Sequence, residues 1–297
     1  MVFENVRRVF LGHAFSARAQ TERIVTPLPP GFLPHDACKP YLLRDARARG
    51  QRFTFLERDN LLGLTWHYGP LRFARFLTDT EPLWDFPLPR PHFFFWQRIT
   101  RTDIPAGWTP SQVALHQSRI GVSAIPAQGN PLAHISSHAQ RHVAAWKKQR
   151  WVIEPITTHE YWDVAFRSTL SRSHQKAFNT LLVEKIAGHG ERVGIVGARP
   201  ADRTQYEAAF AYLDIPELAT STHHVSCTTA LGKEANAGTG LMAWWLERLQ
   251  RIGYRYADFG LFYTPGEPYS WQGFSRFKAQ FCTHFHDFPE MLQKKRG

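Results

Sequence analysis

The sequence predicts an α/β (α+β) protein, a mixed sheet flanked by helices, and three observations predict it. Residues 131–297 read as three helices, two or three antiparallel strands, then helix, strand, helix and strand, an order that needs helices on both faces of a mixed sheet. Hydrophobic residues make up 43% of the 297, enough to build a packed core and too many for a disordered chain. Residues 1–130 read differently. They are crowded with aromatics and with prolines, including the run Pro27-Leu28-Pro29-Pro30 and Pro87, Pro89 and Pro91.

In this first part Arg52–Glu57, Leu62–Tyr68 and His92–Arg98 have the β-branched and aromatic content of strands. The run Phe93-Phe94-Phe95-Trp96 reads as a buried strand, with an apolar groove wall as the alternative. Ala124–Pro131, with two prolines and a glycine, reads as a linker. Beyond it, Ser136–Gln149 predicts a helix capped by Ser136 or Ser137. Tyr161–Ser171 and Gln175–Gly188 predict two more. Val193–Ala198 and Gln205–Leu213 predict strands joined through the turn-like Arg199-Pro200-Ala201-Asp202, and Thr220–Leu231 predicts a third strand. In Leu241–Ile252, residues Leu241, Trp244, Trp245, Leu249 and Ile252 share one helical face, and Gly253 stands where a terminating glycine belongs. Tyr254–Leu261 predicts a strand, Gln272–Phe281 a helix and His284–Phe288 a last strand. The end, Lys294-Lys295-Arg296, reads as a basic tail.

Lys and Arg number 36 against 25 Asp and Glu, a formal charge of +11. That excess favours polyanionic partners such as nucleic acid, nucleotide-linked substrates or an acidic membrane surface. The three cysteines, Cys38, Cys227 and Cys282, stand far apart, which argues against a zinc knuckle or a disulfide framework and suits a reducing cytoplasm. The first residues lack the apolar run of a signal peptide, and no 18-residue apolar stretch suggests a membrane span. Among 15 histidines, His134, His138 and His142 recur at four-residue spacing, and His223-His224 and His284/His286 add more. The His-Glu-x-x-His signature is missing and no acidic or cysteine partner stands nearby, so a polar helix face is expected there and no metal site.

Chemistry concentrates between Thr222 and His286. Gly232–Gly240 lies between a predicted strand and a predicted helix, and a glycine-rich turn opening a helix suits an anion. It lacks the Gly-Lys-Ser/Thr of a P-loop. Gly238-Thr239-Gly240-Leu241-Met242-Ala243 formally matches the dinucleotide fingerprint, with Asp258 at the spacing of a ribose-binding acid. The glycines do not directly follow the strand, however, and too little chain follows Asp258 to complete a doubly wound half.

The succession of strand, small-residue loop, long helix, Tyr256-Ala257-Asp258-Phe259-Gly260 and then Gly273-Phe274-Ser275-Arg276-Phe277-Lys278-Ala279-Gln280-Phe281 resembles the closing half of a GNAT-type N-acyltransferase domain. More narrowly it resembles the Fem-type aminoacyl-tRNA-dependent transferases of peptidoglycan bridge synthesis. The resemblance covers about Ser136 to Phe288. It implies a GNAT-like mixed sheet, a tandem arrangement with residues 1–130 as a diverged copy and 131–297 as the acyltransferase domain, and transfer of an aminoacyl or acyl group to an amine such as a peptidoglycan precursor or another metabolite. The implied donor is charged tRNA as co-substrate, without a resident cofactor. Ordinary GNAT enzymes hold acyl-CoA on a Gln/Arg-x-x-Gly-x-Gly/Ala loop. Gly238 and Gly240 match it, but Ala235 replaces the Gln or Arg, which speaks against CoA.

The resemblance implies that Lys278 supplies a cation near the ester or a tRNA phosphate and that Asp258 orients a donor group or takes a proton. It gives Phe277 and the Gly238-Thr239-Gly240 turn to the substrate site. Tyr263, Tyr269 and Trp271 are candidates to stack on a terminal adenosine or line an acceptor groove. Arg141, Lys147, Lys148 and Arg150 are candidate phosphate contacts. Two alternatives stay open: an acyl-CoA-dependent N-acyltransferase, and a non-catalytic module that binds RNA or protein.

Overall fold

The computed structural model describes residues 27–48, 53–58, 61–68, 70–82, 93–111, 118–264 and 271–295. Its strands are β1 (Phe53–Arg58), β2 (Leu61–Tyr68), β3 (Leu71–Leu77), β4 (Phe93–Gln97), β5 (Thr109–Pro110), β6 (Arg119–Ala124), β7 (Trp151–Pro155), β8 (Val193–Pro200), β9 (Ala208–Ile215), β10 (Thr220–Thr228), β11 (Tyr256–Leu261), β12 (His284–Asp287) and β13 (Leu292–Lys295). Its helices are α1 (Lys39–Ala48), α2 (Ser137–Lys147), α3 (Thr158–Arg167), α4 (Arg172–His189), α5 (Ala230–Glu234), α6 (Ala237–Arg251) and α7 (Trp271–Ala279). The mixed α/β architecture is the expected one. The chain divides into two units: Met1–Gly121 with Leu261–Arg276 and Phe285–Gly297, and Val122–Gly260 with Phe277–His284. The sequence reading instead breaks the chain once, after residue 130.

The first unit is built on a six-stranded sheet in the order β1-β2-β3-β4-β13-β5. β4 is its apolar centre, with Phe94, Phe95, Trp96 and Gln97 all buried. Phe94 and Trp96 pack with Leu61, Ala74, Phe76, Trp108 and Leu292, while Phe95 packs with Met291 on the opposite side. An unbroken aromatic run is what a strand covered on both faces requires. β4 lies parallel to β3 and antiparallel to β13, with Leu292 opposite Trp96 and Lys294 opposite Phe94. The segment that reads as a basic tail is therefore partly strand. The Lys294 ammonium sits 5.6 Å from the centre of the Trp108 ring.

The second unit holds β7 to β10 and all but the last residue of β11 from a seven-stranded sheet in the order β12-β6-β11-β10-β9-β8-β7. β7 to β10 run antiparallel, and β11 returns parallel to β10. On one face α3 and α4 bury Tyr161, Val164, Ala165 and Leu182 against Ala209, Ala211, Val225 and Cys227. On the other face Trp245 of α6 meets the rings of Phe210 and Phe259 edge-on at 5.2 and 5.3 Å.

Local signals set the helix ends. Ser136 caps α2 by accepting from the Ala139 amide. Thr157 and Glu160 form a reciprocal capping box at α3. α6 ends as the glycine predicted: Gly253 adopts φ +76°, its N–H donates to Gln250 O, and the Tyr254 N–H donates back to Leu249 O.

Gly240 decides how closely α6 approaches α2. A Cβ placed there would lie 2.4 Å from the Trp146 ring. Gly240→Ala should therefore lower stability by roughly 1–3 kcal/mol through overpacking, despite the better helix propensity of alanine. Gly273 on α7 has nothing within 4 Å of such a Cβ, so Gly273→Ala should be neutral or stabilising by about 0.5–1 kcal/mol. Urea unfolding of the two variants checks both.

Candidate functional site

The site grows from an interrupted pairing in the second unit. β10 and β11 are paired over three residues, Thr220↔Tyr256, Ser221↔Ala257 and Thr222↔Asp258. Immediately beyond, β10 bulges against β9: His223 faces Tyr212, Val225 faces Ala211, and His224 is the extra residue between them. Asp258-Phe259-Gly260 stands where the pairing of the two parallel strands ends.

Each residue of that tripeptide has a defined task. Asp258 is fully buried and accepts the Gly260 N–H on Oδ1 at 2.7 Å. Gly260 has φ +64°, a conformation costly for other residues, so the turn needs its glycine. The Phe259 carbonyl accepts from Lys278 Nζ at 2.5 Å, and the Phe259 ring stacks on Phe281 with centroids 6.1 Å apart.

Lys278 is buried, which is unusual for a lysine. Burial pushes its ammonium down to about 8, while the neighbouring Cys282 and Asp258 oppose the shift. The neighbouring Cys282 thiol is pushed up by burial in turn. His223 completes the group. Its ring lies among Phe210, Trp245 and Phe259. Both ring nitrogens are buried without a hydrogen-bond partner, as is Thr222 Oγ1. Burial holds the imidazole well below its usual range, and the Lys278 charge adds to that. The result is a cation, a carboxylate and a neutral imidazole that act on one another where the pairing of β10 and β11 ends. Such polar atoms in low dielectric act strongly on any charge that develops beside them.

The remaining candidates divide. Phe277 packs edge-on against Phe281 with centroids 5.5 Å apart, and its ring tip is 3.8 Å from a Cβ placed on Gly238. Gly238, Thr239 and Gly240 lie inside the first turn of α6 and not in a loop, because the short helix α5 takes up the preceding residues and Asn236, at φ +60°, turns the chain between them. Thr239 is buried, and Gly240 serves the contact with Trp146. Tyr263 and Trp271 belong to the first unit, where the Tyr263 N–H donates to Ser275 Oγ at 2.7 Å and Trp271 packs against Phe274. Tyr269 lies outside the described residues.

Arg141, Lys147, Lys148 and Arg150 are all exposed. Lys147 is engaged with Glu247 at 2.7 Å. Arg150 lines a cleft that also contains Ala235. His134 bonds Ser123 Oγ and the Phe281 carbonyl, and the rings of His138 and His142 lie 4.1 Å apart. His223 and Thr222 are the site residues that sequence reasoning did not assign. The adjacent His223-His224 pair was visible, but the bulge that separates the two was not.

No family model matches the chain, and no curated protein matches it. Solved structures do. FemX superposes with a TM-score of 0.63 at 7% identity, covering 86% of this chain and 90% of that one. L-PGS from Bacillus licheniformis gives 0.52 at 9% identity, covering 92% and 94%. The C-terminal domain of a putative lysylphosphatidylglycerol synthetase from Agrobacterium fabrum gives 0.51 at 12% identity, covering 88% and 92%. The chain thus has a FemX-like fold, as the Asp-Phe-Gly and Phe-Lys segments lead one to expect. Among the described residues no helix is long and apolar enough to cross a membrane.

The buried ammonium makes stability depend on pH in a fixed sense. With its folded value near about 8 and its unfolded value near 10.5, the unfolded chain binds more protons between these limits. The destabilising contribution of Lys278 is thus complete below pH 8 and disappears as the pH rises towards 10.5. The stability of the native protein relative to Lys278→Met should rise across this window by about 1–3 kcal/mol. Denaturant midpoints of both proteins at pH 7, 8, 9 and 10 measure it.

Proposed function

We propose that the protein is an acyltransferase that moves an aminoacyl group from charged tRNA to an amine acceptor, such as a peptidoglycan precursor or another amine-bearing metabolite. The observation that carries this reading is the buried Lys278, held against the Phe259 carbonyl where β10 and β11 part. The FemX-like fold supports it, and so does Ala235 in place of the Gln or Arg of a CoA loop.

The reaction needs no covalent enzyme nucleophile. The acceptor nitrogen attacks the ester carbonyl of the donor, its C–O bond to the ribose breaks, the amine loses a proton and the ribose hydroxyl regains one. Lys278 supplies positive charge to the oxyanion that forms on the way. A preorganised donor of this kind contributes roughly 10²–10³ in rate. Asp258 fixes the Gly260 turn and balances the Lys278 charge. Binding both substrates in register supplies the rest.

The test is transfer of label from aminoacyl-tRNA, or from acetyl-CoA, to a panel of amines by the purified protein. Label should move from aminoacyl-tRNA. Transfer from acetyl-CoA alone would overturn the choice of donor, and transfer from neither would overturn the enzyme reading. Lys278→Ala should lower kcat about 10²-fold without unfolding the protein. Full activity in that variant would remove Lys278 from the mechanism.

A further inference from the structure

A cleft of about 670 Å³ in the second unit is lined by Arg150, Trp151, Asp202, Arg203, Leu231 and Ala235, among others. Its walls are rigid by construction. Trp151 opens β7 and pairs with Pro200, the last residue of β8. The Ala201 N–H donates to Arg150 O at 2.8 Å. The following turn is closed by the Arg203 N–H on Pro200 O at 3.1 Å and by Arg199 Nη1 on Arg203 O at 2.8 Å. The Trp151 indole N–H is engaged with Gln149 Oε1, which fixes the ring and leaves it half-buried.

The arginines are different. Both are exposed, and among the described residues neither guanidinium has a hydrogen bond or an ion pair. Asp202, also exposed, has no partner either.

These groups match one kind of ligand. Two unengaged guanidiniums suit phosphate oxygens. A fixed indole face suits a base. A carboxylate beside them would repel a bare anion but accepts hydrogen bonds from ribose hydroxyls or a base amino group. Ala235 adds a further argument. The position where a CoA-binding loop carries Gln or Arg is here a methyl group on the cleft wall, while positive charge reaches the same cleft from the start of β7 and from the β8–β9 turn.

The geometry points to this cleft as the seat of an unpaired, phosphate-bearing nucleotide, the nucleotide end of the acyl donor, with Arg150 and Arg203 on phosphate, Trp151 against the base and Asp202 on a hydroxyl. The assignment of that nucleotide to the donor rests on the transferase reading. The shared chemistry, an adenosine carrying phosphate, comes either from the 3′ end of an RNA or from coenzyme A.

Calorimetric titration of the full chain with a 5′-phosphorylated cytidine-cytidine-adenosine trinucleotide, and separately with coenzyme A, tests the site. Saturable binding is expected, with the stronger of the two identifying the source. Trp151→Ala, Arg150→Ala and Arg203→Ala should each weaken it about tenfold, and Arg172→Ala, on the first residue of α4, should leave it unchanged. Binding of neither probe, or equal binding by all variants, would overturn the proposal. The transfer assay separates the two claims: unaltered donor KM in the cleft variants sinks this site and spares the transferase reading, whereas nucleotide binding without transfer from any donor sinks that reading and spares the cleft.

Discussion

Everything distinctive about the second unit depends on the brevity of one strand pairing. β10 is nine residues long, yet only Thr220, Ser221 and Thr222 are paired with β11. A ladder continued in the same register would have run on to Val225, opposite Leu261 at the end of β11. The bulge at His224 and the left-handed Gly260 remove the strands from register on either side of that point. α7 then brings Lys278 in, and its ammonium donates to Phe259 O.

Such an arrangement is poor for stability. A buried lysine loses solvation that one carbonyl and a nearby carboxylate do not fully replace, and His223 and Thr222 bring polar atoms into the interior without partners. The surrounding fold is strong enough to hold them. Trp245, Phe210, Phe259 and Phe281 pack around the group, and Gly240 lets α6 reach Trp146. Polar groups kept at a structural cost in one place are what a site needs if charge is to develop there.

Much of this was legible in the chain. The periodic face of α6, its terminal Gly253, the capping serine of α2 and the aromatic run of β4 follow from local rules, and each appears in the structure. Asp258, Phe277 and Lys278 could be singled out from Asp-Phe-Gly and Phe-Lys. What escaped depends on contacts distant in sequence. β13 is polar and short, and becomes a strand only because β4 offers it an edge. β3, β6 and β7 acquire their roles from neighbours in the same way. The break after residue 130 looked natural because prolines and a glycine mark it, whereas the units are assembled from segments of both halves. The Gly238-Thr239-Gly240 turn looked like a loop because glycine is rare within helices; Trp146 supplies the reason it is tolerated here. The burial of Lys278 has no local signature, since a helical lysine is ordinarily exposed.

The state of that lysine is the central claim, and it can be observed directly. With lysines labelled with ¹³C at Cε, the Lys278 resonance can be assigned by its loss in Lys278→Met and followed by NMR from pH 6 to 11. A buried ammonium beside Phe259 O predicts a midpoint near about 8, well apart from the exposed lysines. A midpoint at the ordinary value of 10.5 would place Lys278 in solvent and contradict the account of the site.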